Sequence, residues 1–221
     1  MKTLQQKIDE GREYRDAKTF EIRAVEETDE FTVEGYATTF DEPYYLYRID
    51  EDIVVYEQIS SKAFENADMS DVIMQYDHEG HVYARLSNDT MKLSFDEHGL
   101  KVEANLSKTT IGRQLQEEID GGYTTKMSWG FSIVPNSDTV ELIEEVDGVR
   151  KYLRTITEVE KIYDVSAVSL PANDMTEISS RGLNGLIQEL EKDRFEKLES
   201  ERRMKAKKKA LKLKIELKKG L

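Results

Sequence analysis

The sequence reads as a β-rich barrel flanked by short helices, followed by a charged, helical C-terminal tail. Three observations lead there. Short runs of alternating apolar and polar residues recur through the first 180 positions and are separated by turn chemistry, giving about eight strands. Only one segment of that body carries a clear helical period. The texture then changes near residues 180–182, where strand alternation gives way to helical spacing and basic charge.

The elements follow in order. Residues 1–18 are polar and are expected to be helical or frayed. Phe20, Ile22 and Ala24 alternate with charged and polar neighbours, as do Phe31, Val33 and Tyr36 beyond the acidic turn at 26–30, so the two runs form a hairpin. Ile53–Ile59 is a β-rich run, and residues 60–66 can begin a short helix. Val72, Met74, Tyr76 and His78 fall on one face of a strand that enters a loop at Glu79-Gly80-His81. Residues 93–95 and 100–106 form a hairpin about Asp96-Glu97-His98-Gly99. Thr109 or Thr110 can cap a helix whose Ile111, Leu115 and Ile119 share a face, with Gly121-Gly122 ending it. Residues 127–134 and 151–157 are strands, separated by an acidic excursion with a turn at Asp147-Gly148. Residues 161–170 form the most strand-like segment and stop at Pro171. In the tail, Leu183, Leu186, Ile187 and Leu190 keep helical spacing, whereas Leu211, Leu213, Ile215 and Leu217 alternate at strand period. Sheet edges in such a body are most economically hidden by barrel closure.

Composition narrows the function. The 221 residues include no cysteine, which removes disulfides, Cys-based zinc sites and a cysteine nucleophile and directs attention to serine. Three histidines exclude a His-rich metal array, and no metal or cofactor is expected. No apolar run approaches the ~20 residues of a spanning helix, nor does the charged N-terminus resemble a signal peptide, so no membrane role is expected. The net charge of −13 averages two unlike parts. Residues 182–221 carry 13 basic and 7 acidic side chains, and the remainder 19 and 38. An acidic body repels nucleic acid, and none is expected on it. The expected organisation is a polar extension at 1–18, a folded domain at 19–181 and a basic tail at 182–221.

Three segments place reactive groups among β-formers. In Met74-Gln75-Tyr76-Asp77-His78-Glu79, burial of His78 would hold its imidazole neutral and able to act as a base. In Lys126-Met127-Ser128-Trp129-Gly130-Phe131, alternation puts Met127, Trp129 and Phe131 on one face and Ser128 and Gly130 on the other. The serine hydroxyl is thereby expected to be open to a substrate carbonyl, and it needs an adjacent base to be a nucleophile. In Ile162-Tyr163-Asp164-Val165-Ser166, Asp164 sits among aliphatic residues, where a carboxylate needs a donor such as an imidazole N–H. Each segment alone is also compatible with an ordinary structural role.

Taken in the order His, Ser, acid, the three segments resemble the tailed-bacteriophage prohead maturation proteases, whose fold is similar to that of the herpesvirus assemblin proteases. The similarity spans roughly residues 20–181. It includes Val33-Glu34-Gly35-Tyr36-Ala37 with Phe40-Asp41, the stretch from Glu57 to Ala63-Phe64, Ser128-Trp129-Gly130-Phe131, and Asp164-Val165-Ser166 leading to Leu170-Pro171-Ala172-Asn173. The sequence departs from the family pattern at Ala84-Arg85, where Gly-Arg is usual, at Lys62, and at Asp164, where Glu is common. The resemblance implies Ser128 as nucleophile, His78 as general base and Asp164 as orienting acid. Glu160 and Glu158 remain alternatives for the acid and His81 for the base, while His98 lies in a charged turn.

It further implies a serine endopeptidase working in the host cytoplasm inside the assembling prohead. The substrates would be the scaffolding segment of the major capsid protein, any internal scaffold, and the protease itself. A homodimer is compatible with this reading. The basic tail would be either removed by self-cleavage or docked on scaffold. The rival reading is a non-catalytic capsid-assembly or scaffold protein that keeps the fold, since fold alone does not fix function.

Overall fold

The computed structural model describes residues 3–25, 31–169 and 181–219. The expected turn at 26–30 and the Leu170-Pro171-Ala172-Asn173 motif lie outside them. The chain separates into two compact units, residues 1–179 and 180–221.

The first unit opens with a short helix α1 (Leu4–Asp9), capped by Thr3 and Gln6 in a reciprocal capping box. The strands are β1 (Glu13–Ala24), β2 (Thr32–Thr39), β3 (Tyr44–Asp50), β4 (Ile53–Ile59), β5 (Ile73–Tyr76), β6 (Glu79–Arg85), β7 (Met91–Phe95), β8 (Gly99–Asn105), β9 (Lys126–Ile133), β10 (Asp138–Val146), β11 (Val149–Ile156) and β12 (Val159–Val168). Helix α2 (Thr110–Asp120) stands between β8 and β9, capped by the Thr109 hydroxyl, which accepts from the Gly112 N–H.

Eight strands form one sheet in the order β6-β5-β12-β9-β1-β2-β8-β7, and four form a second in the order β10-β11-β4-β3. Together they make a nearly closed, barrel-like body, with a parallel bridge from Phe40 to Ile59 linking the sheets. The core is aromatic around β9. Trp129 and Phe131 are fully buried and stack with centroids 3.8 Å apart, and Phe64 tilts against Trp129 at 5.6 Å. Two of the motifs noted in the sequence acquire a packing reason. Gly35 passes so near β1 that a Cβ there would lie 2.3 Å from the Glu21 carbonyl oxygen and 2.7 Å from Met127 Sδ. Ile59, Ala63 and Phe64 are all buried, following a glutamate whose carboxylate is also buried.

That glutamate, Glu57, anchors a charged cluster inside the body. Arg15 Nε donates to Glu57 Oε1 at 2.5 Å, Arg154 Nη1 donates to Oε2 at 2.9 Å, and the Tyr44 hydroxyl donates to Oε1 at 2.6 Å. Glu13 bridges Arg15 and Arg154, and Asp138 accepts from Arg154 Nε at 2.6 Å. Each buried charge thus meets opposite charge and hydrogen-bond donors or acceptors, the condition for tolerating ions out of water. Burial opposes the ionisation of Glu13, yet Arg15 and Arg154 outweigh it and hold that carboxyl down at about 2.

Several elements differ from the sequence expectation. Within residues 60–66, expected to begin a helix, positions 61–66 make a run of turns instead. The acidic excursion is strand β10, which has almost no buried face and is held by its ladder with β11 across the Asp147-Gly148 turn, where both φ values are positive. Glu79-Gly80-His81 is the start of β6 rather than a loop. Strand β1 begins at Glu13, inside the stretch expected to be helical or frayed.

The second unit is the single helix α3 (Arg181–Lys219). The strand-period alternation near its end does not break it. From Leu186 to Lys219 the sequence has neither Gly nor Pro and is rich in Lys, Glu and Leu, all strong helix formers.

Candidate active site

Strand β9 lies between β12 and the start of β1. Ser128 pairs with Ser166 on one side and Asp16 on the other, while Gly130 pairs with Asp164 and Tyr14. Small residues at 128 and 130 therefore leave room on one face of β9, while Met127, Trp129 and Phe131 fill the core behind it.

His78 reaches this face from a turn. It was expected on the face of a strand with Val72, Met74 and Tyr76, but β5 ends at Tyr76. Tyr76 and Glu79 close a two-residue hairpin in which Asp77 and His78 both take left-handed conformations, with φ of 46° and 60°. Such turns favour Asn and Gly, so a histidine there costs on the order of 1 kcal/mol or more of local strain. The Asp77 N–H donates to the Ala167 carbonyl at 3.1 Å, tying the turn to β12, which runs parallel to β5.

The turn places the imidazole between serine and carboxylate. His78 Nδ1 lies 2.5 Å from Asp164 Oδ1, and Nε2 lies 2.6 Å from Ser128 Oγ. The Ser166 hydroxyl donates to the same Asp164 oxygen at 3.1 Å. All four side chains are buried, and Ser128 and His78 are only 3% and 1% exposed. Asp164 Oδ2 has no hydrogen-bond partner and occupies the space above Gly130, where a Cβ would approach it to 2.6 Å. The glycine in Ser128-Trp129-Gly130-Phe131 is thus the seat of the carboxylate.

The other candidates are elsewhere. Glu160 is exposed and accepts from the Ser132 hydroxyl at 2.9 Å. Glu158 is half-buried, and its carbonyl accepts from Ser137. His81 is exposed on β6, and exposed His98 packs edge-on against Tyr36. Among the described residues no group of three or more His, Asp or Glu side chains could hold a metal ion, and no helix is long and apolar enough to cross a membrane.

Four contributors went unforeseen. Ser166 could have been found, because Asp164 and Ser166 share a strand face at i and i+2. Tyr14 could not, because it sits in the segment read as frayed. Its ring edge packs on the His78 imidazole at 4.5 Å. Burial and the nearby Asp164 carboxylate push its phenol well above the ordinary value, keeping it neutral there. Lys7 on α1 donates from Nζ to the His78 carbonyl at 2.6 Å, and the Arg15 carbonyl lies 2.9 Å from Ser128 Oγ. The serine hydroxyl, expected to be open, is covered by this N-terminal segment.

A serine hydroxyl on imidazole, with a carboxylate on the far ring nitrogen, is the side-chain order of the serine hydrolases. Residues 18–188 match the caudovirus prohead serine protease family, and the chain belongs to that family. Its members are serine peptidases of capsid maturation that work in the assembling phage capsid within the host cell. No curated protein and no solved structure matches the chain.

Proposed function

We propose that Ser128, His78 and Asp164 form the catalytic set of an endopeptidase that trims capsid components. The observation that carries this reading is the unbroken chain Ser128 Oγ, His78 Nε2, His78 Nδ1, Asp164 Oδ1, with contacts of 2.6 and 2.5 Å. Asp164 accepts from Nδ1–H, which leaves Nε2 as the basic nitrogen facing the serine. His78 takes the Ser128 proton as Oγ attacks the scissile carbonyl carbon, then returns it to the leaving amine. A water molecule activated by the same nitrogen releases the acyl group. Ser166 gives the carboxylate a second donor and so fixes its rotamer.

The substrates in this reading are the scaffolding segment of the major capsid protein, internal scaffold, and the chain's own ends. The folded domain at 19–181 carries catalysis, and the basic tail at 182–221 docks on acidic scaffold to bring the enzyme into the prohead. The test is co-expression with the neighbouring major capsid protein. Wild type should trim the capsid protein's N-terminus at one sequence, and Ser128→Ala should leave it intact. Trimming that persists in Ser128→Ala would assign the nucleophile elsewhere.

A further inference from the structure

The N-terminal segment ahead of the family match makes four contacts with the site. The Leu4 N–H donates to Glu79 Oε1 at 2.8 Å, and Lys7 Nζ donates to the His78 carbonyl. The Tyr14 ring lies against the imidazole, and the Arg15 carbonyl meets the serine hydroxyl. Glu13, Tyr14, Arg15 and Asp16 also pair in antiparallel register with Phe131, Gly130, Trp129 and Ser128. One edge of β9 beside Ser128 is therefore already paired, and the same segment covers the serine hydroxyl and the imidazole.

We propose that residues 3–16 are an intramolecular cap lying in the substrate's own lane, and that the substrate is an extended peptide that replaces this strand along β9. The inference rests on Ser128 being the nucleophile. Three features of the chemistry support it. A hydroxyl has one proton, and both the Arg15 carbonyl and His78 Nε2 stand within reach of it, at 2.9 and 2.6 Å. The capping carbonyl thus competes with the base for the proton that the reaction must move. Peptide capture by strand addition draws its affinity from main-chain hydrogen bonds and its selectivity from alternate side chains. The lane offers an aromatic position against His78 and a basic position facing Glu57. Finally, the cap can leave without orphaning a buried charge, because Glu57 keeps Arg154 and the Tyr44 hydroxyl.

Opening is an equilibrium, so the reactivity of Ser128 scales with the fraction of uncapped chain. The test measures the rate at which a fluorophosphonate forms an adduct on Ser128 in the full chain. Lys7→Met removes a charge-assisted hydrogen bond from the cap and should speed labelling about tenfold or more. The chain has no native cysteine, so Leu4→Cys/Glu79→Cys can be joined by a short bis-thiol-reactive linker. That tether should slow labelling about tenfold or more. A peptide of the sequence of residues 10–16 added to Lys7→Met should slow it again, and its Arg15→Ala version should do so less. Circular dichroism confirms that the variants are folded, and the tether keeps the test decisive should Lys7→Met not fold. Equal rates in wild-type and tethered chains overturn the cap alone. An adduct that forms at the same rate in Ser128→Ala removes the nucleophile assignment, and the cap with it.

Discussion

Adding one methyl group at Gly130 should disable the site without replacing any of its catalytic side chains. A Cβ there would lie 2.6 Å from Asp164 Oδ2 and 2.6 Å from Tyr14 Cε1, where ordinary contact begins near 3.4 Å. The carboxylate must therefore retreat by about 0.8 Å or turn about its χ angles. Its other oxygen, now 2.5 Å from His78 Nδ1, would be carried beyond a good hydrogen bond, and Ser166 would lose its acceptor as well. Misplacement of about 1 Å in a catalytic set costs on the order of 10²-fold. Gly130→Ala should thus lower kcat/KM about 10²-fold on a capsid-derived peptide. Overpacking of this kind also destabilises by about 1–3 kcal/mol. The assay is peptide hydrolysis beside a urea melt, which separates lost activity from lost fold. Activity within threefold of wild type in the folded variant would show that Asp164 does not need its present seat.

Other consequences can be measured in the same way. Asp164→Asn keeps the shape but allows the wrong imidazole tautomer, and should lower kcat by ~10⁴-fold; Glu160→Gln should change it less than threefold. Glu13 is the group to follow in acid. Its folded pKa of about 2 lies below the ordinary 4.5, so the folded chain holds this proton less readily than the unfolded one. Its contribution is complete above pH 4.5 and is lost as pH falls toward 2. Urea melts across that window should lose stability in wild type and lose less in Glu13→Gln. Deleting the residues after Arg181 should leave peptide cleavage intact and reduce the copies of enzyme per prohead; unchanged packaging would remove the docking role of the tail.

Much of this molecule could be read from alternation and spacing, and the failures have physical causes. Ser128 and Asp164 were legible because each lies on a well-formed strand whose neighbours alternate in size. His78 was legible as a residue and not as a geometry. Its aim comes from two consecutive left-handed residues, which neither Asp77 nor His78 advertises as glycine would. Strand β10 was invisible to periodicity because it is held by backbone pairing and buries almost nothing. Glu13, Tyr14 and Arg15 escaped for the opposite reason. Their charges suggested a solvated end, but those charges are neutralised inside the body by Glu57 and Arg154, partners more than 40 residues away. Long-range ion pairing leaves no local signature.

Mass spectrometry of the chain after reaction with a fluorophosphonate tests the catalytic assignment at the atom concerned. A single adduct should be found on Ser128, and it should be lost in His78→Ala, where no base remains to take the hydroxyl proton. An adduct on any other serine, or undiminished labelling of Ser128 in His78→Ala, would overturn the assignment of these residues as nucleophile and base.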